Sequence, residues 1–271
     1  MPSVVSAPHP ALAAYVDAYV GYDHVLHRDA VHHGLPSGTA TVIIAFDVPL
    51  DHGWVDAAGR TMYWTVAAGL HIRPALIHTN GRQHGIQIGL TPAGARALLG
   101  LPIAALAHVV ADHRELPGGV PSGLHARLAD APTWTARFGL LDAHLLRQAQ
   151  RFDRSIGAPE VAEAWRVILA TRGRARVEAV ARHVGWSRRH LEQRFREELG
   201  LSPKQSARVV RFDHARRLAA TGRPLAEVAA TTGYADQAHL TREWRSLAGQ
   251  TPRQTLAENL AFLQDEPHAT P

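Results

Sequence analysis

The sequence predicts an α+β protein, in which a β-rich amino-terminal domain of mixed structure precedes an all-α domain with two helix-turn-helix units. Three observations support this prediction. Strand-forming runs are confined to the first half of the chain, amphipathic helices begin near residue 133, and the last hundred residues contain one helical unit written twice. At 271 residues the chain is long enough for two domains that each bury a core.

Composition excludes several classes of chemistry. The chain has no cysteine, which rules out disulfides, zinc-thiolate sites and thiol nucleophiles. No apolar run reaches the roughly 20 residues that a membrane span needs. Residues 1–10 lack the charged and apolar regions of a signal peptide. We therefore expect a cytoplasmic protein that has no membrane partner.

The first half of the chain contains three candidate strands and two candidate short helices. The strands are expected at 39–46, after a Pro-Ser-Gly turn, and at 62–66 and 85–90, and the helices at 93–99 and 103–110. Thr91 and Pro92 have the residue types of a helix N-cap and of a first helical position. A β-rich segment of this length, placed before the helices, suggests a domain that senses an effector or mediates dimerisation.

Helical periodicity begins at Thr133. Phe138, Leu141, Leu145 and Ala149 recur on one face of a helix that extends to residue 150, and a second helix is expected over 159–170. These helices either pair between two chains or pack within one. The predicted organisation is a domain over 1–155, a helical connector over 156–173, a DNA-binding domain over 174–260 and a tail over 261–271.

The duplicated unit occupies 177–199 and 224–248. Gly185 and Gly233 are 48 residues apart, and four other matched pairs are 49 apart: Leu191 and Leu240, Phe195 and Trp244, Gly200 and Gly249, and Pro203 and Pro252. One extra residue after the second turn accounts for the difference. Self-similarity of this kind indicates a repeated architecture, and a paired-helix unit is the type that inserts one helix into the DNA major groove.

In the first unit, apolar residues follow helical spacing up to Gly185, which is suited to a sharp turn. Ser187 is a candidate N-cap for the following helix, and Leu191, Phe195 and Leu199 are its inward stripe. Polar side chains that can read bases and phosphates remain on the outside. The predicted DNA-facing residues are Ser187, Arg188, Arg189, His190, Glu192, Gln193 and Arg196.

The second unit repeats this arrangement. Pro224 is expected to start its first helix, Gly233 to make the turn and Asp236 to cap the next helix. The predicted DNA-facing residues here are Gln237, His239, Thr241, Arg242 and Arg245. Between the units a helix over 203–220 would be about 27 Å long, close to the roughly 34 Å that separates successive major grooves on one DNA face.

Charge is concentrated on the duplicated region. Residues 172–260 contain 17 Arg and Lys against 9 Asp and Glu, whereas the whole chain contains 29 against 24. The entire positive excess therefore lies where a phosphate-binding surface is expected. Four arginines of the central helix either contact phosphates or only solvate its outer face: Arg208, Arg211, Arg216 and Arg217.

The region 175–257 resembles the DNA-binding domain of AraC/XylS-type transcriptional regulators. The resemblance rests on positions that are shared along both units and the helix between them: Gly185-Trp186-Ser187, His190-Leu191, Phe195, Ser202-Pro203, Arg211, Ala215, Leu218, Gly233-Tyr234, Gln237, His239 to Trp244, Gly249 and Thr251-Pro252. The N-terminal half resembles an uncharacterised domain found in some actinobacterial members. The ligand-pocket motif of the arabinose-type regulators has no match there.

This resemblance implies a seven-helix domain and a regulator of transcription, most often an activator that contacts RNA polymerase. Carried over by position, base reading is assigned to Arg189, Glu192 and Gln193, and in the second unit to Gln237, His239, Thr241 and Arg242. Glu192 departs from the neutral or basic residue that is usual in the family. A carboxylate repels phosphate, although it can accept a hydrogen bond from cytosine N4.

The histidines, the tryptophans and the absence of catalytic motifs bear on functions other than DNA binding. Thirteen of the 18 histidines precede residue 155, but they lack the helical spacing of a metal motif, so no metal is expected; His71 and His84 would be the first candidates. Trp54, Trp64 and Trp134 pack in a core or line an effector pocket. No nucleophile or nucleotide motif is present, so we expect neither an enzyme nor a cofactor. A small-molecule sensor that controls DNA binding is the alternative function.

Overall fold

A computed structural model describes residues 3–56, 59–152 and 157–259 of the chain. Their architecture is α+β, as the sequence predicts: an antiparallel sheet formed by residues up to 112 is followed by helices. The predicted tail at 261–271 and the predicted boundary near 155 lie outside the described residues.

The sheet has eight strands within the described ranges. They are β1 (Val4–Ser6), β2 (Val16–Gly34), β3 (Ala40–Ala45), β4 (Leu50–Trp54), β5 (Arg60–Tyr63), β6 (Thr65–Ala68), β7 (Ala75–Leu90) and β8 (Val110–Asp112). Their order is β1-β2-β7-β3-β6-β8, and β4 pairs with both β5 and β7.

Two long strands organise this sheet. Strands β2 and β7 pair antiparallel from Val16 opposite Leu90 to Gly34 opposite Ala75, with irregularities between Val25 and Val31. The other edge of β7 pairs with β3 near its end and with β4 near its start. Because one strand serves two neighbours in succession, the sheet bends around a small apolar cluster that includes Leu50, Val66 and Ile77.

Two expected elements of the first half differ in the structure. The strand expected at 62–66 is divided at Trp64, where β5 ends and β6 begins on a different neighbour. The helix expected at 103–110 is a single 3-10 turn (Ile103–Leu106), because Val110 pairs with Ala68 as part of β8. The Thr91 cap is confirmed: its hydroxyl accepts a hydrogen bond from the Gly94 amide at 3.0 Å.

The helices of the first half cover the sheet. They are α1 (Pro92–Gly94), which continues as a π-helical turn (Ala95–Leu99), then α2 (Ser122–Asp130) and α3 (Trp134–Arg151). On α3, Phe138 stacks on Tyr19 of β2 with ring centroids 5.6 Å apart. This helix therefore packs within the chain rather than presenting its apolar face to a second copy.

From residue 157 onward, the regular elements that the structure describes are all helices. They are α4 (Pro159–Ala170), α5 (Val177–His183), α6 (Arg188–Leu199), α7 (Pro203–Ala220), α8 (Leu225–Thr232), α9 (Gln237–Ala248) and α10 (Pro252–Asn259). Val161, Ala164, Trp165 and Ile168 are the buried residues of α4, and they join the same apolar cluster as the cores of α5, α6 and α7. Buried side chains of both halves form this one continuous cluster.

The first half of the chain contacts both helix-turn-helix units. Arg96 forms an ion pair with Glu198 at the end of α6, and His33 Nδ1 lies 3.1 Å from Glu258 Oε2 on α10. The glycines that end α6 and α9 are also in contact with it: a Cβ on Gly200 would lie 2.1 Å from that of Ala107, and one on Gly249 would lie 3.1 Å from Pro74 Cγ. We refer to Gly200 and Gly249 as the docking glycines.

Candidate nucleic-acid interface

The first helix-turn-helix unit consists of α5, the turn at Gly185 and α6. Gly185 has φ +75°, the left-handed conformation that a glycine adopts without strain. Ser187 then caps α6, since its hydroxyl accepts from the His190 amide at 3.2 Å. Leu191, Phe195 and Leu199 are buried, as their spacing predicts. The burial of this stripe fixes which face of α6 is exposed.

The second unit is built in the same way from α8, Gly233 and α9. Gly233 has φ +79°, and the Asp236 carboxylate caps α9 by accepting from the His239 amide at 2.6 Å. Trp244 is fully buried, and its indole N–H donates to the Thr255 hydroxyl of α10 at 2.8 Å. These contacts fix which face of α9 is exposed, as the buried stripe does for α6.

Helix α7 joins the two units. Ser202 and Gln205 form a reciprocal capping box at its start. Most of its circumference is buried, including Val209, Phe212 and Ala215. The position of one unit relative to the other therefore depends on a helix that the surrounding core holds in place.

The four arginines of α7 fall into two groups. Arg216 is 3% exposed and Arg217 is exposed, yet both pair with the buried Asp213 carboxylate. Burial alone would raise the pKa of Asp213, but the two arginines outweigh it and hold that pKa below its usual value. Arg216 and Arg217 thus satisfy a buried charge, whereas Arg208 and Arg211 line an open cleft.

None of the twelve predicted DNA-facing side chains is buried. Those classed as exposed are Ser187, Arg188, Arg189, His190, Gln193, Arg196, Gln237, Arg242 and Arg245, and those of intermediate exposure are Glu192, His239 and Thr241. Both helices α6 and α9 therefore present a continuous polar face to solvent.

Some of these side chains are held by neighbours. Arg188 pairs with Glu178 at 2.9 Å and lies 3.5 Å from Glu192. The Gln193 amide donates to Glu197 at 2.9 Å, and His239 Nδ1 accepts from the Ala235 amide at 3.3 Å. Glu192 thus neutralises the neighbouring Arg188, and this role does not require contact with a base.

A cleft of about 720 Å³ connects the two units. Its wall includes the start of α5, Arg188 at the start of α6, the first half of α7, and His239 of α9. Six cations line it: Arg174, Arg176, Arg188, Lys204, Arg208 and Arg211. Two carboxylates, Glu178 and Glu243, are the anions of this wall. A strongly positive groove of this kind attracts a polyanion.

Both carboxylates of the cleft are already paired. Glu178 binds Arg188, and Glu243 binds Arg208 through two hydrogen bonds of 2.9 and 3.1 Å. Sequence reasoning missed three of the cleft cations, Arg174, Arg176 and Lys204. The alternation of arginine at 172, 174 and 176, just before the first unit, was the signal that could have identified the first two.

The histidines of the first half occupy separate environments. His71 Nδ1 donates to the Arg73 carbonyl at 2.6 Å, while His84 Nδ1 lies 3.1 Å from Asp47 and its ring packs edge-on against Trp134. In the described part of the chain, no three His, Cys, Asp or Glu side chains are grouped so as to hold a metal ion.

A second, smaller cavity lies in the first half of the chain. Its volume is about 70 Å³, and its wall includes His32 of β2, His52 and Trp54 of β4, and Ile77 of β7. Of the three tryptophans named from the sequence, Trp54 lines this cavity. Glu258 of α10 also lines it, so one wall residue comes from the carboxyl-terminal helices.

The fold and these two sites define a class of protein, in which a sheet domain precedes a double helix-turn-helix domain. Comparison with known families supports this class in both halves. Residues 180–258 match a family described as a helix-turn-helix domain, and residues 5–112 match a domain of unknown function, DUF6597.

Curated relatives extend the match in the second half. The HTH-type transcriptional regulator GlxA of Rhizobium meliloti is 41% identical over 76 residues, which cover 27% of this chain and 23% of GlxA. An uncharacterised HTH-type transcriptional regulator of Staphylococcus aureus is 28% identical over 91 residues, which cover 33% of this chain and 12% of the relative. The matched segment is therefore a small part of either relative.

Among solved structures, ToxT of Vibrio cholerae has a similar overall fold. An apo form of a ToxT variant has a TM-score of 0.58 at 9% identity, and the match covers 88% of this chain and 97% of ToxT. Another ToxT structure, with unsaturated fatty acid bound, has a TM-score of 0.52 at 10% identity and the same 88% coverage of this chain. Residues 180–258 form a helix-turn-helix domain of the AraC type.

None of the helices within the described ranges is long and apolar enough to cross a membrane. The curated relatives that match the helix-turn-helix domain are described as transcriptional regulators.

Proposed function

We propose that this protein is a sequence-specific DNA-binding regulator of transcription that reads two adjacent major-groove segments with α6 and α9. The observation that supports this most directly is the cationic cleft, which runs from one recognition helix to the other across α7. A single polyanion that follows this cleft contacts both helices of one chain. DNA is the polyanion whose groove spacing suits a connecting helix of about 27 Å.

Within this proposal the polar faces of α6 and α9 divide into two roles. Arg189, Gln193, Gln237, Thr241 and Arg242 read base edges, since their side chains are exposed or half-exposed and include the donors and acceptors that suit guanine and adenine. Glu192 and His239, which are partly engaged by Arg188 and by the Ala235 amide, orient their neighbours.

The cations of the cleft anchor phosphates. Lys204 and Arg176 are exposed and line the cleft, where neither forms a salt bridge with a described residue. Arg188, Arg196 and Arg245 extend this positive surface along the two recognition helices, and Ser187 and His190 add polar donors. Phosphate contacts of this kind fix register on the duplex and carry no sequence information.

The proposal is tested by selecting bound sequences from a random duplex library with the full-length protein at near-physiological salt. We expect two short motifs whose centres are about one helical turn apart. Arg189→Ala should relax the motif read by α6 and leave the other unchanged. Enrichment of one motif alone would refute reading by both units, and no enrichment would overturn the proposal.

The alternative is that DNA binding is controlled by a small molecule. The observation that favours it is the 70 Å³ cavity, because Glu258 joins its wall from α10 while His33 binds Glu258 from the sheet. A ligand that alters this wall acts on both domains at once. ToxT, whose fold is similar, has been crystallised with unsaturated fatty acid bound.

Further partners follow from the class of protein. We propose that the DNA-bound protein acts as an activator that contacts RNA polymerase, in the cytoplasm and without catalysing a reaction. In vitro transcription from a selected site tests activation. A homodimer would place two clefts on neighbouring DNA segments, and sedimentation of the DNA complex distinguishes one bound chain from two.

A further inference from the structure

The 70 Å³ cavity has a wall whose chemistry restricts its ligand. We infer that it binds a small uncharged molecule with a flat apolar body and at least one N–H or O–H donor, and that binding displaces Glu258 of α10. This inference rests on the ligand-controlled form of the proposed function. It specifies the ligand by the residues around the cavity, and those residues disfavour the acid class to which the ligand of ToxT belongs.

Charge is the first restriction. No lysine or arginine is among the described residues that line the cavity, and Glu258 is its carboxylate. That carboxylate is engaged by His33 at 3.1 Å and by the Gln250 amide at 2.9 Å. An anionic ligand would therefore lose its hydration, face a carboxylate and gain no cation in return. Burial of an unpaired charge of this kind is strongly unfavourable.

Three of the four wall histidines do not supply the missing cation, and the fourth, His33, is already engaged by Glu258. Burial lowers the pKa of His32 to about 3 and the pKa of His52 and His71 to about 4, so these rings are neutral near pH 7. A cationic ligand is disfavoured as well. Arg73 stacks over Trp54 at 4.5 Å, pairs with Asp56, and contributes to the lowered pKa of His71.

Hydrogen bonding is the second restriction. His71 Nδ1 lies 2.6 Å from the Arg73 carbonyl oxygen and must carry the hydrogen, which leaves Nε2 of the neutral ring as an acceptor. His52 is 6% exposed, and its buried Nε2 has no hydrogen-bond partner among the described atoms. A ligand N–H or O–H group can donate to the free acceptor of His71.

The apolar wall defines the rest of the ligand. Trp54, Leu50, Val66 and Ile77 line the cavity around the histidines. The Trp54 ring lies edge-on to both His52 and His71, with centroids 5.2 and 5.6 Å away. An apolar and aromatic wall of this kind suits a flat aromatic ligand body.

Size explains the effect on α10. A cavity of about 70 Å³ is small beside ligand pockets, which span about 300–1,000 Å³. The wall must therefore move outward when a ring enters. Glu258 is held there by two side-chain contacts, one from His33 of β2 and one from Gln250, so its displacement enlarges the cavity while the strands remain paired.

Phenol, benzoate and benzylamine form a matched set of probes that differ in charge. At millimolar concentration we expect phenol to raise the thermal unfolding midpoint of the full-length protein by about 2–4 °C, a shift typical of a ligand present at about ten times its Kd. Benzoate and benzylamine should produce no shift. Equal or greater stabilisation by benzoate, or no stabilisation by phenol, would overturn the inference.

Two cavity variants and one control locate the effect. Ala68→Leu fills the cavity and His71→Phe removes its acceptor, and each should abolish the phenol shift. His78→Phe changes a histidine of β7 that does not line the cavity, and it should retain the shift. A phenol shift that persists in Ala68→Leu would refute binding at this cavity.

DNA binding by the same preparations separates the two proposals. If selected DNA binds specifically while phenol has no effect on stability, the ligand inference alone fails. If no DNA is bound specifically with or without phenol, the proposed function fails. We expect specific binding in both conditions, with at least a roughly threefold change in its affinity when phenol is present.

Discussion

At the scale of single residues, exposure and partners separate the roles of side chains that look alike in the sequence. Arg216 and Arg242 both lie on helices of the duplicated region, yet Arg216 is buried on Asp213 while Arg242 is exposed on the outer face of α9. The first stabilises the fold, because Asp213 would otherwise remain buried with one counterion fewer. The second is placed to meet a ligand.

Arg242→Ala is expected to weaken specific DNA binding by about 1–3 kcal/mol and to relax sequence preference at one position, because it removes a base contact. Binding of the selected site and of its single-base variants measures both effects. Unchanged affinity and unchanged preference would contradict the base-reading role.

Lys204→Ala provides the contrasting case in the same cleft. Loss of a phosphate contact should weaken binding by a similar factor on every sequence and reduce the slope of log affinity against log salt by about 1. Titrations at several salt concentrations, on selected and random duplexes, measure this. A loss confined to the selected duplex would assign Lys204 to base reading instead.

His113 makes stability depend on pH. It is 1% exposed, neither ring nitrogen has a hydrogen-bond partner among the described atoms, and burial lowers its pKa to about 4. The unfolded chain therefore binds more protons between about pH 4 and 6.5, and the stability present above pH 6.5 is lost as the pH falls through that window.

His113→Leu should remove this contribution. Between about pH 7.5 and 5 we expect the wild-type free energy of unfolding to fall by on the order of 2 kcal/mol more than that of the variant. Urea unfolding at both pH values measures the difference. Parallel losses in the two proteins would show that the pKa of His113 is the same in the folded and unfolded states.

At the scale of elements, the sequence predicts the duplicated helices far better than the sheet. Each recognition helix has a capping side chain at one end, a glycine at the other and an apolar stripe between, so local signals agree with tertiary packing. In strand β2, the local sequence signals do not agree with the tertiary packing. Its second half is rich in histidine and charged residues and is held by the β7 ladder, which no local pattern indicates.

The candidate site shows the same division. Helical spacing placed the twelve predicted side chains on open faces, since each inward stripe excludes them from the core. It could not assign the arginines of α7, because that helix is buried around most of its circumference. The cleft also depends on Arg174 and Arg176, which precede α5 and have no helical phase to predict their direction.

Two glycines with the same backbone conformation provide a matched test of helix ends. Gly185→Ala should cost about 1–2 kcal/mol, because φ is +75° but a Cβ would enter open space. Gly200→Ala should cost about 1–3 kcal/mol more, because its Cβ would also overlap Ala107. Unfolding free energies measure the contrast. Equal losses would mean that the contact at Gly200 relaxes freely.

At the scale of the whole molecule, the sheet domain holds both helix-turn-helix units at once. It contacts the end of α6 through Ala104, Ala107 and Arg96, and the end of α9 and α10 through Pro74 and His33. The two recognition helices are therefore joined twice, by α7 on one side and by the sheet domain on the other. A change within the sheet domain can alter the spacing of α6 and α9.

Arg96→Ala should loosen the first of these contacts. Glu198 is 13% exposed in its side chain and would lose its cross-domain partner, so we expect stability to fall by about 1–3 kcal/mol and the amides of α6 to exchange faster. Hydrogen exchange measures the second effect. Arg166→Ala, which breaks an exposed pair within α4, is the control, and equal acceleration of α6 in both variants would contradict the cross-domain role.

The docking glycines are equivalent members of the duplication, 49 residues apart. Because the unit is duplicated, each copy ends in a glycine, and the sheet domain packs a small residue or a proline against it. A chimera that carries another sheet domain must contact both docking glycines at their fixed separation. Otherwise the sheet domain will hold only one helix-turn-helix unit. Exchange of sheet domains between proteins of this architecture is thus constrained by two points of attachment, and a longer or shorter linker cannot replace the second.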